Sequence, residues 1–255
     1  MPPHRSWHLV LAIFAAALTH IHSARADAPC GNVPDSRLNT FIKLLAAPSC
    51  DDCDQTEAEL KELTQLQQAR TPAEQEHATA DITISIPRFL EGANIKFDPV
   101  ALDKCMNFFD KLAKLTKEAS DNAKRSFCRT RPFKLPGNTL QPLQKIDELK
   151  NSSSYPSGHT TYGTLMGTVL ARMLPEKRED LYARITDYGH SRLIAGVHYR
   201  SDIDAGKVLG SAIAADEFAA DEDFKNELPA ATACVREALG LQGQAPAQQA
   251  STPHP

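Results

Sequence analysis

Two cations lie seven residues apart in the segment from Lys124 to Pro132. Seven residues are almost two helical turns, so the side chains of Lys124 and Arg131 share one face if the helix continues to Pro132. Two cations on one face can bind an anion. Taken alone, however, a basic run near a helix end is more often a solvated surface.

A second polar segment, Tyr155 to Thr160, lies where a loop is expected to become a helix. The free backbone N–H groups and the dipole at a helix N-terminus suit an anion. Ser157 adds a hydroxyl donor, Gly158 lets the backbone come close, and His159 stands at the rim. The alternative interpretation is an N-cap followed by a surface histidine.

The third segment combines Arg192 with an imidazole and a carboxylate, His198 and Asp202. A carboxylate four residues from a histidine can accept one ring N–H, which leaves the other nitrogen free as a nucleophile. The guanidinium of Arg192 offers a planar pair of donors that matches phosphate oxygens. In isolation, an ordinary hydrogen bond between His198 and Asp202 is an equally good interpretation.

Together, the three segments resemble the tripartite signature of the type 2 phosphatidic acid phosphatase (PAP2) superfamily. Eleven signature positions match in order and spacing: Lys124, Arg131, Pro132, Pro156, Ser157, Gly158, His159, Ser191, Arg192, His198 and Asp202. Such a combined match is far more specific than any single segment. The chain is most similar to the secreted bacterial class A non-specific acid phosphatases, whose central motif Gly-Ser-Tyr-Pro-Ser-Gly-His-Thr is matched except that Ser153 replaces the leading glycine.

The resemblance implies an all-α, single-domain helical bundle of the PAP2/vanadium-haloperoxidase type, and a metal-independent acid phosphatase activity on phosphate monoesters. It implies that His198 is the nucleophile that forms a phosphohistidine, that Asp202 orients its ring, and that His159 is the general acid and base. The implied phosphate-binding residues are Lys124, Arg131, Ser157, Gly158 and Arg192. No metal or other cofactor is expected, because three cations can stabilise the transition-state charge. Transfer to an alcohol instead of water would add phosphotransferase activity.

The implied mechanism needs a neutral His198 and a protonated His159 at the same time. The two imidazoles should therefore titrate apart and give a bell-shaped rate profile on the acid side. The other histidines after residue 26 lie outside the signature. His190 is expected to be structural or at the rim, and His77 and His254 are expected at the surface.

Two other functions would use a similar anion cradle. A vanadate-dependent haloperoxidase, which is an oxidoreductase, would bind vanadate where the phosphate sits, although such enzymes usually have longer chains. A non-catalytic secreted phosphate-binding protein would retain the cations. Binding alone, however, has little need of His198, Asp202 and His159 together.

Capping patterns predict where the first helices begin. The segments from Thr56 to Glu59 and from Thr71 to Glu74 are predicted as capping boxes. The pair Asp98-Pro99 is predicted to open a third helix that runs toward Lys124.

The rest of the chain is also predicted to be mainly helical. Later helices are predicted from Thr160 to Leu174, from Glu176 to about Val197 and from Ser201 to about Phe218. Alternating isoleucines predict one strand from Asp81 to Ile86. The segment from Phe133 to Ser154 is predicted as a loop with at most a short helix. From sequence position alone, we hypothesise that the substrate mouth includes Phe89, Glu91 and Asn94.

Composition and terminal patterns predict an exported globular protein. The chain has 42% hydrophobic and 24% charged residues, which excludes a disordered chain. A basic start, an apolar stretch and a small-residue end predict a signal peptide over residues 1–26. An acid phosphatase (PAP2-like) domain is expected over 27–241 and a disordered tail over 242–255. The expected location is periplasmic or secreted.

The six cysteines all lie after residue 26, and an even number in an exported chain predicts disulfides, with 15 pairings open. The segment from Cys50 to Cys53 is predicted as a small structural loop. A redox pair would need a thioredoxin-like pattern around it, and a zinc site would need a second cysteine pair.

The net charge limits the kinds of partner. It is −4 for the whole chain and becomes −6 when residues 1–26, with two cations and no acids, are removed. A mildly acidic protein has no general attraction for nucleic acid or anionic lipid. No apolar run after residue 26 approaches the roughly 18 residues that span a bilayer. The expected partners are therefore small-molecule phosphomonoesters, with no nucleic acid and no membrane; a homo-oligomer is compatible with the sequence.

Overall fold

Helices joined by turns and loops make up residues 30–241, the part of the chain that the computed structural model describes. The helices are α1 (Asn39–Ile42), α2 (Asp54–Ala69), α3 (Pro72–Ala80), α4 (Ile86–Gly92), α5 (Pro99–Asp103), α6 (Met106–Phe127), α7 (Ile146–Leu149), α8 (Gly158–Met173), α9 (Arg178–Ile194), α10 (Arg200–Ala219) and α11 (Glu222–Ala238), with 3-10 turns at Pro132–Lys134 and Pro175–Lys177. No strand occurs within these residues, so the predicted all-α class is confirmed. Within the same residues, no helix is both long enough and apolar enough to cross a bilayer. The predicted signal peptide, tail and surface residue His254 lie outside the described residues.

The starts of α2 and α3 test the two predicted capping boxes. Thr71 caps α3 as predicted, because its hydroxyl accepts from the Glu74 backbone N–H and the Glu74 carboxylate accepts from the Thr71 N–H. The box predicted at Thr56 is wrong, because α2 begins at Asp54 and Thr56 lies in its first turn. The Thr56 hydroxyl instead donates to the Cys50 carbonyl, 2.8 Å away.

The segment from Asp81 to Ile86, predicted as a strand, instead forms a turn and bends as far as Ser85 and begins α4 at Ile86. A strand needs a neighbouring strand for its backbone hydrogen bonds, and the described residues provide none. Ser85 is the N-cap of α4, and Pro87 lies in the first turn of that helix. The alternating isoleucines therefore do not mark the two faces of a sheet: Ile86 is fully buried in the core, whereas Ile84 is 42% exposed.

The predicted third helix is two helices in the structure. Asp98 caps α5 as predicted, but the chain leaves α-helix after Asp103, and α6 begins only at Met106. Helix α6 then ends at Phe127, and its C-cap, Cys128, has a left-handed backbone with φ of 53°. Arg131 follows in an extended conformation. The hypothesis that Lys124 and Arg131 share one helix face is therefore wrong.

Helix α8 contacts α6, α9 and α10 and carries many of the core side chains. Two glycines of α10 allow it to cross α8 closely. A Cβ atom on Gly206 would lie 2.8 Å from the Ser157 carbonyl oxygen, and one on Gly210 would lie 2.5 Å from that of Thr161. In addition, the Ser157 N–H donates to the Asp202 carbonyl at 2.9 Å. The first turns of α8 and α10 are thereby held together.

The six cysteines form three disulfides, Cys30–Cys128, Cys50–Cys53 and Cys105–Cys234. The expectation of disulfides is confirmed, and the structure selects one of the pairings that the sequence left open. The short Cys50–Cys53 loop precedes α2, as predicted for a structural loop. The Cys105–Cys234 bond ties the start of α6 to α11, a helix that the sequence analysis did not predict.

Candidate active site

A cavity of about 910 Å³ lies between α6, the start of α8 and the segments 82–87 and 144–152. Cationic and imidazole side chains from all three predicted segments line it: Lys124, Arg131, His159, Arg192 and His198. Apolar side chains line another part, among them Ile84, Leu102, Met106, Phe109 and Ala113. Because Met106 and Lys124 lie near opposite ends of α6, these two parts extend over about 27 Å along the helix.

The loop before α8 carries the second predicted segment. Ser157 is the N-cap of α8, and its hydroxyl oxygen accepts from both the backbone N–H and the hydroxyl of Thr160, at 3.3 and 3.0 Å. The hydroxyl proton of Ser157 is therefore left for another acceptor. Ser157 is fully buried, whereas Gly158 lines the cavity. The helix start also supplies backbone N–H groups that have no partner within the helix.

Lys124 connects α6 to this loop. Its Nζ donates to the carbonyl oxygens of Ser153 and Pro156 at 2.7 and 2.9 Å, and the side chain also lines the cavity. Ser153 stands where the similar phosphatases have glycine. Its hydroxyl donates to the Arg129 carbonyl at 3.3 Å. Ser153 therefore adds a hydrogen bond to the loop.

The His198 ring lies between a carboxylate and a guanidinium. Its Nδ1 is 3.1 Å from Oδ2 of Asp202, and its Nε2 is 3.2 Å from Nη1 of Arg131. A guanidinium can only donate, so Nε2 accepts and the ring proton of the neutral form is on Nδ1, facing the carboxylate. The unprotonated Nε2 is the nitrogen that a nucleophilic role requires.

Asp202 is fully buried and accepts three further hydrogen bonds. Its Oδ2 accepts from the Tyr199 backbone N–H and the Ser154 hydroxyl at 2.9 and 2.5 Å, and its Oδ1 accepts from Nη1 of Arg129 at 2.8 Å. Asp202 lies in the first turn of α10, which begins after Tyr199 and so slightly earlier than predicted. Sequence reasoning missed Ser154 and Arg129, because nothing in their spacing separates them from the neighbouring loop and basic run.

Arg131 is held by the backbone on two sides of the cavity. Its Nη1 donates to the Val197 carbonyl at 2.9 Å, and its Nε and Nη2 donate to the carbonyl and hydroxyl of Ser152, both at 3.0 Å. The guanidinium is therefore fixed beside His198 although Arg131 lies beyond the end of α6. Ser152 is a further residue that the sequence patterns did not indicate.

Arg192 is a buried cation with unused donors. Its Nη2 donates to Oε1 of Gln144 at 2.5 Å, but its Nε and Nη1 have no hydrogen-bond partner in the described part of the chain. Burial lowers the pKa of Arg192 to about 10. Buried polar groups are normally hydrogen-bonded, so two nitrogens with unused N–H groups on a cation lining a cavity favour an anionic ligand there.

His159 is oriented by the segment that was predicted as a strand. Its Nε2 lies 3.1 Å from the Ile82 carbonyl oxygen, which can only accept, so the neutral ring carries its proton on Nε2. The ring also lies 6.0 Å from that of Tyr188, whose hydroxyl donates to the Thr83 carbonyl at 3.1 Å. The sequence pattern of this segment did not indicate either backbone contact.

Both cavity histidines resist protonation when no anion is bound. Burial, followed by the nearby cations, lowers the pKa of His198 and of His159 well below 6.5. An anion between the cations would offset their charge and raise both pKa values. The two shifts have the same direction, so the expected separation of the two titrations stays a prediction.

The guess about the substrate mouth is wrong. Phe89, Glu91 and Asn94 do not line the cavity, because α4 turns Phe89 into the core, where it is fully buried. The preceding segment, 82–87, lines the cavity instead. His190 does not line the cavity, which is consistent with the structural role predicted for it.

His77 is not the simple surface residue that was predicted. Its Nε2 lies 2.8 Å from Oδ2 of Asp187, and the side chain is 37% exposed. The neighbouring Asp81 is fully buried and accepts from Arg184 and Arg88 at 2.6 and 2.7 Å. The two carboxylates and the imidazole are close enough together to hold a metal ion, but two guanidinium groups already balance their charge. This cluster, which we call the Asp81 network, is therefore an ion-pair network.

Comparisons with known proteins agree with the geometry. The model of the PAP2 superfamily matches residues 112–221. A non-specific acid phosphatase of Salmonella typhimurium is 42% identical over 93 residues, which are 36% of this chain and 37% of that protein. A non-specific acid phosphatase of Salmonella typhi is 36% identical over 135 residues, 52% of this chain and 54% of that protein. The matches thus span about half or less of the length of these relatives.

Among solved structures, a transmembrane PAP2-type phosphatidylglycerolphosphate phosphatase from Bacillus subtilis is similar with a TM-score of 0.48 and 20% identity. That comparison covers 74% of this chain and 94% of the other. The matched family model and the acid phosphatase relatives point to the same family for this region. Residues 112–221 belong to the PAP2 superfamily.

Proposed function

We propose that this chain is a secreted acid phosphatase that hydrolyses phosphate monoesters through a phosphohistidine intermediate. The observation that carries the proposal is the state of His198: its Nδ1 faces Asp202, and its unprotonated Nε2 faces Arg131 at a cavity lined by cations. Relatives named non-specific acid phosphatase support the reaction class. The three disulfides and the signal-peptide pattern of residues 1–26 both support export. The phosphatase domain is proposed to span residues 27–241.

The phosphate would be bound by the cations and by the start of α8. Arg192 offers the N–H groups of two nitrogens, Nε and Nη1, that have no partner in the described residues, and Arg131 and Lys124 add positive charge beside them. The Gly158 backbone N–H and the Ser157 hydroxyl would complete the donor set. Phosphoryl transfer rests mainly on positioning and charge stabilisation, so this set can act without a metal ion.

In the first step, the lone pair of Nε2 on His198 attacks phosphorus, and the bond from phosphorus to the leaving oxygen breaks. The proton on Nδ1 stays against Asp202, which stabilises the positive charge on the ring. His159 in its protonated form gives a proton to the leaving oxygen. Because its Nε2–H is bound to the Ile82 carbonyl, the transferable proton is the one on Nδ1.

In the second step, the neutral His159 takes a proton from water, and the water oxygen attacks phosphorus. The N–P bond breaks, and its electron pair returns to Nε2 of His198. Inorganic phosphate leaves, and both histidines regain their starting states. An alcohol in place of water would receive the phosphoryl group by the same route, which is the proposed basis of phosphotransferase activity.

Hydrolysis of p-nitrophenyl phosphate between about pH 4 and 9 tests the proposal. The purified protein should be active with excess EDTA and show a bell-shaped profile, and His198→Ala should abolish turnover. An inactive wild type that binds phosphate would contradict the proposal and favour a binding protein. Halide oxidation that requires added vanadate, without hydrolysis in its absence, would favour a haloperoxidase.

A further inference from the structure

We propose that Arg129 is a positioning residue, which orients Asp202 and thereby His198, and that Glu59 balances its charge. This inference rests on the proposed function. Arg129 is not one of the eleven signature positions, and Glu59 lies in α2, outside the residues that the family model matches. The proposal therefore assigns a part of the amino-terminal region to the reaction.

Arg129 lies between two carboxylates and is almost fully buried. Its Nη1 is 2.8 Å from Oδ1 of Asp202, and its Nη2 is 2.7 Å from Oε2 of Glu59. The guanidinium also stacks on the Tyr199 ring, 3.9 Å from its centre, and Nη1 donates to the Ser201 hydroxyl at 2.7 Å. These contacts leave the guanidinium little freedom to move.

Glu59 holds both Arg129 and the start of α10, one with each of its carboxylate oxygens. Its second oxygen, Oε1, accepts from the Ser201 backbone N–H at 2.6 Å. Glu59 thus binds both Arg129 and the first turn of α10, the turn that carries Asp202. A single carboxylate from α2 thereby connects α2 to α10 and to the segment that follows α6.

The two oxygens of Asp202 have different partners, and this division fixes the plane of the carboxylate. Oδ2 faces Nδ1 of His198, whereas Oδ1 is bound by Arg129. Without Arg129, Oδ1 loses its charged partner and the carboxylate is held only through Oδ2, so its plane, and with it the orientation of the His198 ring, is less well fixed. Arg129 acts through Asp202 and has no described contact with the His198 ring.

The charges of this group predict opposite effects of two substitutions. Asp202, Arg129 and Glu59 together carry one net negative charge. Arg129→Met leaves two negative charges near His198, which favours its protonated form. Glu59→Gln leaves the group with no net charge, which disfavours the protonated form of His198. The double variant restores one negative charge but does not restore the hydrogen bonds of Arg129.

The test is the pH dependence of kcat/KM for p-nitrophenyl phosphate, whose acid limb reports an essential base of the free enzyme. Arg129→Met should lower kcat/KM by about 10-fold to 100-fold, the range seen when outer partners of metal-bound histidines are removed. It should also move the acid limb up by about one pH unit. Glu59→Gln should move the limb down by a smaller amount, and the double variant should return it toward that of the wild type.

Arg236→Met is the matched control, because Arg236 is also a buried arginine paired with a carboxylate, Glu176, away from the cavity. It should lose stability and leave the acid limb in place. If Arg129→Met does not fold, Glu59→Gln and Arg129→Lys still test the proposal, because the lysine retains the charge and should leave the limb near that of the wild type. A wild type without turnover would contradict the proposed function itself. Turnover with an acid limb that does not move in Glu59→Gln, nor in Arg129→Met when that variant folds, would overturn the positioning role alone.

Discussion

At the level of single residues, the two imidazoles of the site differ in the atoms to which they are hydrogen-bonded. His198 has its proton directed to Asp202, whereas the proton of His159 is directed to the Ile82 carbonyl. One ring is therefore suited to attack phosphorus, and the other is suited to exchange a proton at its second nitrogen. The roles proposed for the two histidines therefore differ, and each follows from the hydrogen-bond partners of the ring.

The role of His159 predicts a dependence on the leaving group. His159→Ala should reduce kcat by about 10²-fold to 10⁴-fold for alkyl phosphates, because an alkoxide needs a proton as it leaves. The loss for p-nitrophenyl phosphate should be much smaller, since nitrophenolate is a weak base. Steady-state rates for both substrates measure this, and equal losses would remove the general-acid assignment.

At the level of helices and loops, the Asp81 network holds the segment that orients His159. Burial disfavours the charge of Asp81, but hydrogen bonds from Arg184 and Ser191 outweigh burial and lower its pKa. The next residue, Ile82, supplies the carbonyl that binds His159.

Asp81→Asn should therefore leave the Arg184 guanidinium buried with less compensation. It should lower the free energy of unfolding by about 3–5 kcal/mol and reduce kcat as well. Chemical denaturation and turnover measure the two effects. Asp187→Asn is the control, because Asp187 is 43% exposed in its ion pair with Arg184 and should cost only about 0–1 kcal/mol. Similar losses for the two variants would contradict the network's role.

The crossing of α8 and α10 gives a second test at this level. Gly206→Ala would place a Cβ atom 2.8 Å from both the Ser157 carbonyl oxygen and the Thr160 Cβ. The two helices must then separate, so stability should fall by about 1–3 kcal/mol and activity should fall with it. Ser211→Ala, at an exposed position of the same helix, should change neither. Thermal unfolding and turnover of both variants provide the comparison.

The sequence predicts a helix end or a loop conformation best where the hydrogen bonds that fix it are made within the same short segment. The capping box at Thr71 and the cap at Asp98 are local hydrogen bonds, and both are present as predicted. The spacing of the three polar segments also identifies six of the residues that line the cavity, which are Lys124, Arg131, Gly158, His159, Arg192 and His198. The false strand at Asp81 and the missed Arg129 have a common cause: their conformations depend on partners about 70 to 110 residues away, which no local pattern reveals.

For the molecule as a whole, burial of two histidines among cations links stability to pH. Both histidines have a pKa well below 6.5 in the folded protein, so the unfolded chain binds protons more readily. The stability that these two histidines contribute is fully present above about pH 6.5 and is lost as the pH falls toward their pKa values in the folded protein. Phosphate should oppose this loss by binding the folded state.

Melting temperatures between about pH 7.5 and 5, with and without phosphate, test this linkage. The melting temperature of the phosphate-free protein should fall on acidification below about pH 6.5, and phosphate should raise it most at the acid end. The melting temperature of His198→Ala should fall less steeply on acidification, because this variant lacks one of the two buried histidines. A decline as steep as that of the wild type would contradict the linkage.

The cavity also predicts which substrates bind well. Its apolar part, with Met106 and Phe109, extends along α6 away from the cations, so apolar leaving groups should lower KM. A series of alkyl phosphates of increasing length measures this. Met106→Lys should weaken the dependence on length, whereas Val100→Lys, at a position that is 72% exposed, should preserve it. A KM that does not change with chain length in the wild type would contradict this use of the cavity.

Trapping the phosphohistidine intermediate shows whether the phosphoryl group passes through His198. The protein is mixed with a phosphate monoester labelled at phosphorus, quenched within one turnover and digested. We expect one label, stable in base and labile in acid, on the peptide that contains His198, and no label in His198→Ala. Label on another residue, or wild-type turnover in His198→Ala, would contradict it.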